Sequence, residues 1–138
     1  MKKEFKKLVN ERRMIKNKII SFWRKELKLL INNKKSDEEV LNAMSEMIES
    51  TDDVLELLKM FVQMVKPGEY SKIKKQLAKR LFNAAQNSFL NIESEDMALA
   101  TKLFKEVGDK EMERKVKEFH DLAYGIVEDL LPQLEKYS

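Results

Sequence analysis

Apolar residues recur at intervals of three and four along almost the whole chain, and no window alternates with a period of two for long enough to form a strand. A period near 3.6 residues is that of a helix with one apolar side. The chain has 138 residues, which is enough to build a hydrophobic core without disulfides or metals. The pattern therefore predicts an all-α protein, a single compact bundle of about six helices that forms one domain over residues 1–138.

Turn and capping residues predict where the helices begin and end. A long, basic first helix is predicted from about 3 to 33, where an Asn-Asn-Lys-Lys stretch breaks it. Ser36 and Glu39 form the Ser-x-x-Glu pattern of a capping box for the second helix. Gly108 is suited to the left-handed residue that ends a helix, and Asp109 to the cap of the next one. The other helices are predicted at about 37–49, 52–65, 70–89, 95–107 and from 110 onward, with a kinked or frayed last turn at Pro132.

Composition excludes several classes of enzyme. The chain has no Cys, which removes thiol nucleophiles and Cys-ligated metals, and only three Gly, too few for a phosphate-binding glycine loop. A single His excludes a polyhistidine metal site. Pairs of acidic residues are adjacent in sequence, so no facing general acid and base can be nominated. We expect no cofactor, no metal and no enzymatic activity.

Arg114 and His120 give the one alternative that is an enzyme. Their spacing resembles the Arg-x(4–6)-His motif of the HEPN ribonucleases, which are also small all-helical domains. The resemblance implies that the Arg binds phosphate and the His activates the ribose hydroxyl of RNA, usually across a dimer. Lys115 stands where that family commonly has Asn, Asp or His, and an unbroken helix separates the two side chains by about 120°.

Charge is segregated along the chain, although the total is only +3. Residues 1–35 carry a net charge of +10, residues 36–69 carry −7, residues 70–90 carry +5 and residues 91–138 carry −5. The first and fourth helices are therefore basic. Either acidic neighbours screen them on an ordinary solvated surface, or they share a face that binds a polyanion.

The polyanion hypothesis names Lys and Arg residues of the two basic helices. Lysine-based contacts bind phosphates without reading bases, so the expected partner is a DNA or RNA backbone without sequence specificity. The candidate binding residues are Lys6, Arg12, Arg13, Lys16, Arg24, Lys28, Lys72, Lys75 and Lys79.

The start of the first helix is predicted to lie outside the core. Arg12 and Lys16 interrupt its apolar stripe, and a buried unpaired guanidinium would be costly. Residues 1–14 are therefore expected to project from the bundle. Phe5, Leu8 and Val9 would then form a small apolar patch that suits a partner helix, self-association or nucleic acid. The alternative is a frayed basic N-terminus.

Together these patterns favour a non-enzymatic accessory or adaptor subunit that contacts a nucleic-acid backbone within a larger complex. The alternative is a protein-interaction or oligomerisation module without nucleic acid, and a homo-oligomer fits either function. No apolar run approaches the length of a membrane span, and no signal-peptide pattern follows the N-terminus. We therefore expect a cytoplasmic protein with no membrane partner.

Overall fold

The computed structural model describes residues 2–48, 53–87 and 95–136. Within these ranges it contains six helices and no strand, which confirms the all-α prediction and the long basic N-terminal helix. The helices are α1 (Lys2–Asn32), α2 (Asp37–Met47), α3 (Asp53–Met64), α4 (Ser71–Gln86), α5 (Glu95–Glu106) and α6 (Lys110–Lys136).

The predicted caps of α2 and α6 are confirmed. The Ser36 hydroxyl oxygen accepts the Glu39 backbone N–H at 3.2 Å, while the Glu39 carboxylate accepts from that hydroxyl at 3.3 Å. Gly108 has a φ of 76°, in the left-handed region that favours glycine. The next residue, Asp109, accepts the Met112 backbone N–H at 3.1 Å and so caps α6.

Other helix boundaries differ from the predicted ones for local reasons. Tyr70 has a φ of 55°, so the helix predicted from Tyr70 begins instead at Ser71. Helix α6 continues through Pro132 to Lys136. The predicted helix ends at residues 49 and 89, and the predicted start at residue 52, lie outside the described residues.

The chain divides into two compact units, and the first is Met1–Val65. In this unit α1 contacts both α2 and α3. Helix α1 is about 46 Å long, whereas α2 and α3 are about 17 and 18 Å long, so the two short helices cannot cover it. The buried side chains of this unit are Trp23, Leu27, Val40, Met44, Leu57, Leu58 and Phe61.

The second unit is Lys66–Ser138, in which α4 packs on α5 and α5 packs on α6. Among the described residues, α4 buries more side chains than α3 does. The ring centroids of Phe82 and Phe119 are 5.7 Å apart, which ties α4 to α6. That both units form one domain stays a prediction. The side chains that α4 buries are Ile73, Lys74, Leu77, Ala78, Leu81, Phe82 and Ala85.

Candidate functional site

The basic side of α1 is exposed to solvent. Helix α1 carries eleven Lys or Arg and three Glu. At about 100° per residue, four of the predicted binding residues fall on one side of the helix, and all three Glu fall on the other. This basic face, Lys6, Arg13, Arg24 and Lys28, is exposed throughout. It runs about 33 Å along the helix axis.

The four side chains of the basic face are not neutralised in the described part of the chain. None of them makes an ion pair or hydrogen bond with another described residue. Helix geometry gives the reason: Glu4, Glu11 and Glu26 point away from this side, so no carboxylate one turn away can pair with the cations. The face therefore presents positive charge directly to solvent.

Arg12 and Lys16 have a different setting, which explains why they interrupt the apolar stripe. Lys16 Nζ lies 3.6 Å from Glu56 Oε1 of α3, and both side chains are more than half exposed. A pair this exposed contributes only about 0–1 kcal/mol. Both cations border a cleft of about 330 Å³ between α1 and α3, which is lined by Arg12, Ile15, Lys16, Ile19, Ile20, Trp23, Asp53 and Glu56.

The predicted lysine row of α4 is partly neutralised within its own unit. Lys75 Nζ lies 3.2 Å from Asp109 Oδ2, and Lys79 also acts electrostatically on that carboxylate. Lys72 and Lys79 are exposed. Because α1 and α4 belong to different units, the shared basic face of the two helices stays a prediction.

The Asp109 cap makes the stability of the second unit depend on pH. The hydrogen bond from the Met112 N–H lowers the pKa of Asp109 most, and Lys75 and Lys79 lower it further, while partial burial opposes them. A carboxyl with a lowered pKa in the folded chain stabilises the fold above its unfolded pKa. That contribution is lost as the pH falls through the folded pKa.

We expect Asp109→Asn to melt at a lower temperature than the wild type at pH 7, because the amide keeps the capping oxygen but loses the charge. At a pH below the lowered folded pKa of Asp109 the two melting temperatures should converge, because Asp109 is then protonated in both states. Circular dichroism at both pH values measures the difference. The exposed α6 carboxylate Asp129 provides the control variant, Asp129→Asn. If the melting temperatures of the wild type and Asp109→Asn differed by the same amount at both pH values, this would contradict the role assigned to the Asp109 charge.

The predicted apolar patch is exposed, and it is larger than predicted. Phe5 is 69% exposed and Leu8 is 59% exposed, while Val9 is half-buried. Apolar residues of α1 that follow the patch are also exposed, because α2 and α3 are too short to cover them. Trp23, by contrast, is 3% exposed and lies in the core. The further exposed residues are Met14, Ile15, Ile19, Phe22 and Leu29.

Arg114 and His120 lie on one continuous helix, α6, and each has other neighbours. Arg114 Nε is 3.8 Å from Glu118 Oε1, and the His120 ring stacks on Tyr124 with centroids 5.9 Å apart. His120 Nδ1 is also 3.8 Å from Asp121 Oδ1. A single chain therefore does not bring the two side chains of the ribonuclease motif together, and that alternative stays a prediction.

Sequence reasoning missed a buried lysine in the second unit. Lys74 is 2% exposed, and its Nζ donates to the Lys66 carbonyl at 2.7 Å and to Glu106 Oε1 at 3.0 Å. The same Glu106 oxygen accepts the Gly68 N–H at 3.3 Å. In projection Lys74 lies about 20° from Leu81, on the apolar side of α4. This placement is the one signal of its burial that the sequence contains.

No protein-family model, curated protein or solved structure matches the chain. In the described ranges, no helix combines the length and hydropathy needed to cross a membrane. The same ranges contain no group of three or more His, Cys, Asp or Glu side chains placed to hold a metal ion.

Proposed function

We propose that the chain is a non-enzymatic accessory subunit that binds a nucleic-acid backbone through the basic face of α1. One observation carries this proposal: four exposed cations lie on one side of a helix, and every carboxylate of that helix lies on the other side. Lys72 and Lys79 of α4 would provide additional backbone contacts. Lys75 contributes less, because it is paired with Asp109.

The geometry of the basic face favours phosphates over bases. Its length of about 33 Å is close to one turn of duplex DNA, in which phosphates follow each other about every 3.4 Å on each strand. No aromatic side chain of α1 lies on this side of the helix, so there is no platform on which bases could stack. Binding should therefore depend on salt and not on sequence.

The apolar side of the same helix supports the adaptor part of the proposal. Phe5 and Leu8 are exposed on a side of α1 separate from the basic face, so both sides can be occupied at once. In the proposed arrangement nucleic acid lies on the basic face and a protein contacts the apolar side. The subunit would then link the two within a larger assembly.

Neutralising the basic face tests the proposal. The variant Lys6→Gln/Arg13→Gln/Arg24→Gln/Lys28→Gln should bind a labelled duplex of roughly 20 base pairs about 10²–10³-fold more weakly than the wild type at low salt. Each lost phosphate contact should also reduce the slope of log K against log salt by about 1. Fluorescence anisotropy across a salt series measures both quantities. Single-stranded DNA and RNA probes of the same sequence identify the preferred nucleic acid.

A matched variant separates the basic face from overall charge. Lys102, Lys105, Lys110 and Lys117 are exposed on α5 and α6, and changing all four to Gln alters the net charge by the same amount. This control should bind like the wild type. Equal losses in the two variants would show a non-specific charge effect, and a wild-type chain that binds none of the probes at micromolar concentration and low salt would contradict the proposal.

A further inference from the structure

The exposed apolar residues of α1 follow a heptad spacing. Leu8, Ile15, Phe22 and Leu29 are seven residues apart from one to the next, and all four are exposed. A seven-residue apolar repeat is the pattern of a helix that packs along a second helix. The repeat lies about a quarter turn away from Trp23 and Leu27, which pack within the Met1–Val65 unit. Ile15 borders the cleft between α1 and α3 but is still 59% exposed. This side of α1 is therefore accessible to solvent over three heptads.

A second row completes the repeat. Phe5, Arg12, Ile19 and Glu26 each precede a residue of the first row by three positions, as position a precedes position d in a coiled coil. Phe5, Arg12 and Ile19 are exposed, and Glu26 is partly exposed. We call the two rows together the α1 seam. It runs about 36 Å along the helix and contains six large apolar residues and one charge of each sign.

We propose that the α1 seam is a homodimer interface, on which α1 of a second copy of this chain packs in antiparallel orientation. In this alignment position a of one helix faces position d of the other, so Ile15 lies against Ile19 of the second copy. Arg12 then lies against the ring of Phe22 of the second copy, which favours a cation–π contact. The proposal goes beyond nucleic-acid binding and does not depend on it.

The charges of α1 select the antiparallel orientation. Arg12 would be offset from Glu26 of the second copy by one helical turn, about 5–6 Å along the helix axis, and Glu11 would face Lys25 of the second copy beside the seam. A parallel pair would instead place Arg12 against Arg12 and Glu26 against Glu26, and like charges in one layer destabilise it. Near the two-fold axis Lys18 would face Lys18 of the second copy, a repulsion that salt screens. The Arg12–Glu26 and Glu11–Lys25 pairs, each formed twice, identify the second copy as the occupant and favour the antiparallel direction.

The remaining charge of α1 predicts a salt dependence opposite to that of nucleic-acid binding. The residues of the basic face occupy the outer positions of the heptad, away from the seam. Two copies of α1 still repel each other through these charges, and salt screens that repulsion over about 10 Å at 0.1 M. Added salt should strengthen dimerisation while it weakens binding to a polyanion.

The first test is the oligomeric state of the full chain without nucleic acid. We expect the wild type to form dimers at chain concentrations up to about 100 μM. In sedimentation experiments, Ile15→Gln/Phe22→Gln should associate at least about 100-fold more weakly. Both residues are exposed, so the folded chain should persist, which circular dichroism verifies. Met14→Gln changes an exposed apolar residue outside the seam and should dimerise like the wild type.

The exposed apolar residues of α6 provide a second control. Leu122 is exposed on α6, and Leu122→Gln should leave dimerisation unchanged. A wild-type chain that stays monomeric, or a dimer that survives Ile15→Gln/Phe22→Gln, would overturn the proposal. A dimer lost in Leu122→Gln but retained in the seam variant would place the interface on α6 and would also overturn it.

Charge reversal tests the register. Arg12→Glu and Glu26→Arg should each weaken dimerisation several-fold, and the double variant should restore it, because the pair then re-forms with its signs exchanged. In a parallel dimer each single change only replaces one like-charge layer with another. Single changes without effect, or a double variant that is no better than either single one, would exclude the antiparallel register.

Cross-linking tests the direction independently, because the chain contains no natural cysteine. Lys18 flanks the two-fold axis of the antiparallel pair, so Lys18→Cys should be joined to itself by a short bismaleimide. Phe5 lies near the start of α1, so in the antiparallel pair Phe5 of the second copy lies at the opposite end. Phe5→Cys should therefore remain unlinked. Linking of Phe5→Cys to itself would show a parallel dimer and overturn the proposal, and so would a Lys18→Cys chain that stays unlinked.

Discussion

Glu106→Ala is expected to cost the Lys66–Ser138 unit about 3–5 kcal/mol of unfolding free energy. The Lys74 ammonium, 2% exposed, would keep only the Lys66 carbonyl as a described acceptor, and the Gly68 N–H would lose its carboxylate partner. A buried charge without its counter-ion is among the most destabilising changes that one substitution can make. Urea denaturation followed by far-UV circular dichroism measures the loss.

Two comparisons make this result specific. Lys74→Met keeps the packing of the lysine stem and leaves the Glu106 carboxylate without its partner. Because the Glu106 side chain is 22% exposed, water can solvate it. Lys74→Met should therefore lower the unfolding free energy by less than Glu106→Ala does. Glu56→Ala breaks the exposed Lys16–Glu56 pair and should cost less than about 1 kcal/mol. If Glu106→Ala were as mild as Glu56→Ala, Lys74 would not depend on its carboxylate.

The Lys74 site shows what a periodic sequence pattern leaves undetermined. Helical projection places Lys74 on the apolar side of α4, so its burial could have been predicted from the sequence. Its ion-pair partner could not have been predicted, because Glu106 is 32 residues away and at the end of another helix. Capping pairs such as Ser36 and Glu39 were predictable, because both members lie within one turn and their chemistry is local.

Helix α1 shows a second limit. The period of its apolar residues fixes which side of the helix is apolar, but it does not state whether another element covers that side. Whether that side is covered depends on the lengths of α2 and α3, and each of these helices is little more than a third as long as α1. The sequence therefore predicted the exposed cations of the candidate site and the Phe5–Leu8 patch. Its apolar stripe did not indicate that Ile15, Ile19 and Phe22 also lie outside the core.

Leu27→Ala should destabilise the Met1–Val65 unit by about 2–5 kcal/mol, because Leu27 is fully buried and its loss leaves a cavity beside Trp23. Trp23 is the only tryptophan, so its fluorescence during urea denaturation reports on this unit. Leu29→Ala removes the same atoms from an exposed position and should change stability by about 0.5 kcal/mol or less. Deleting residues 2–14 should likewise leave the urea midpoint nearly unchanged, since all of them except Val9 are exposed. The deletion removes Lys6 and Arg13 of the basic face and three of the eight residues of the α1 seam. If the deletion destabilised the unit as much as Leu27→Ala, the first turns of α1 would belong to the core, and a surface available for nucleic acid or a second copy would not exist there.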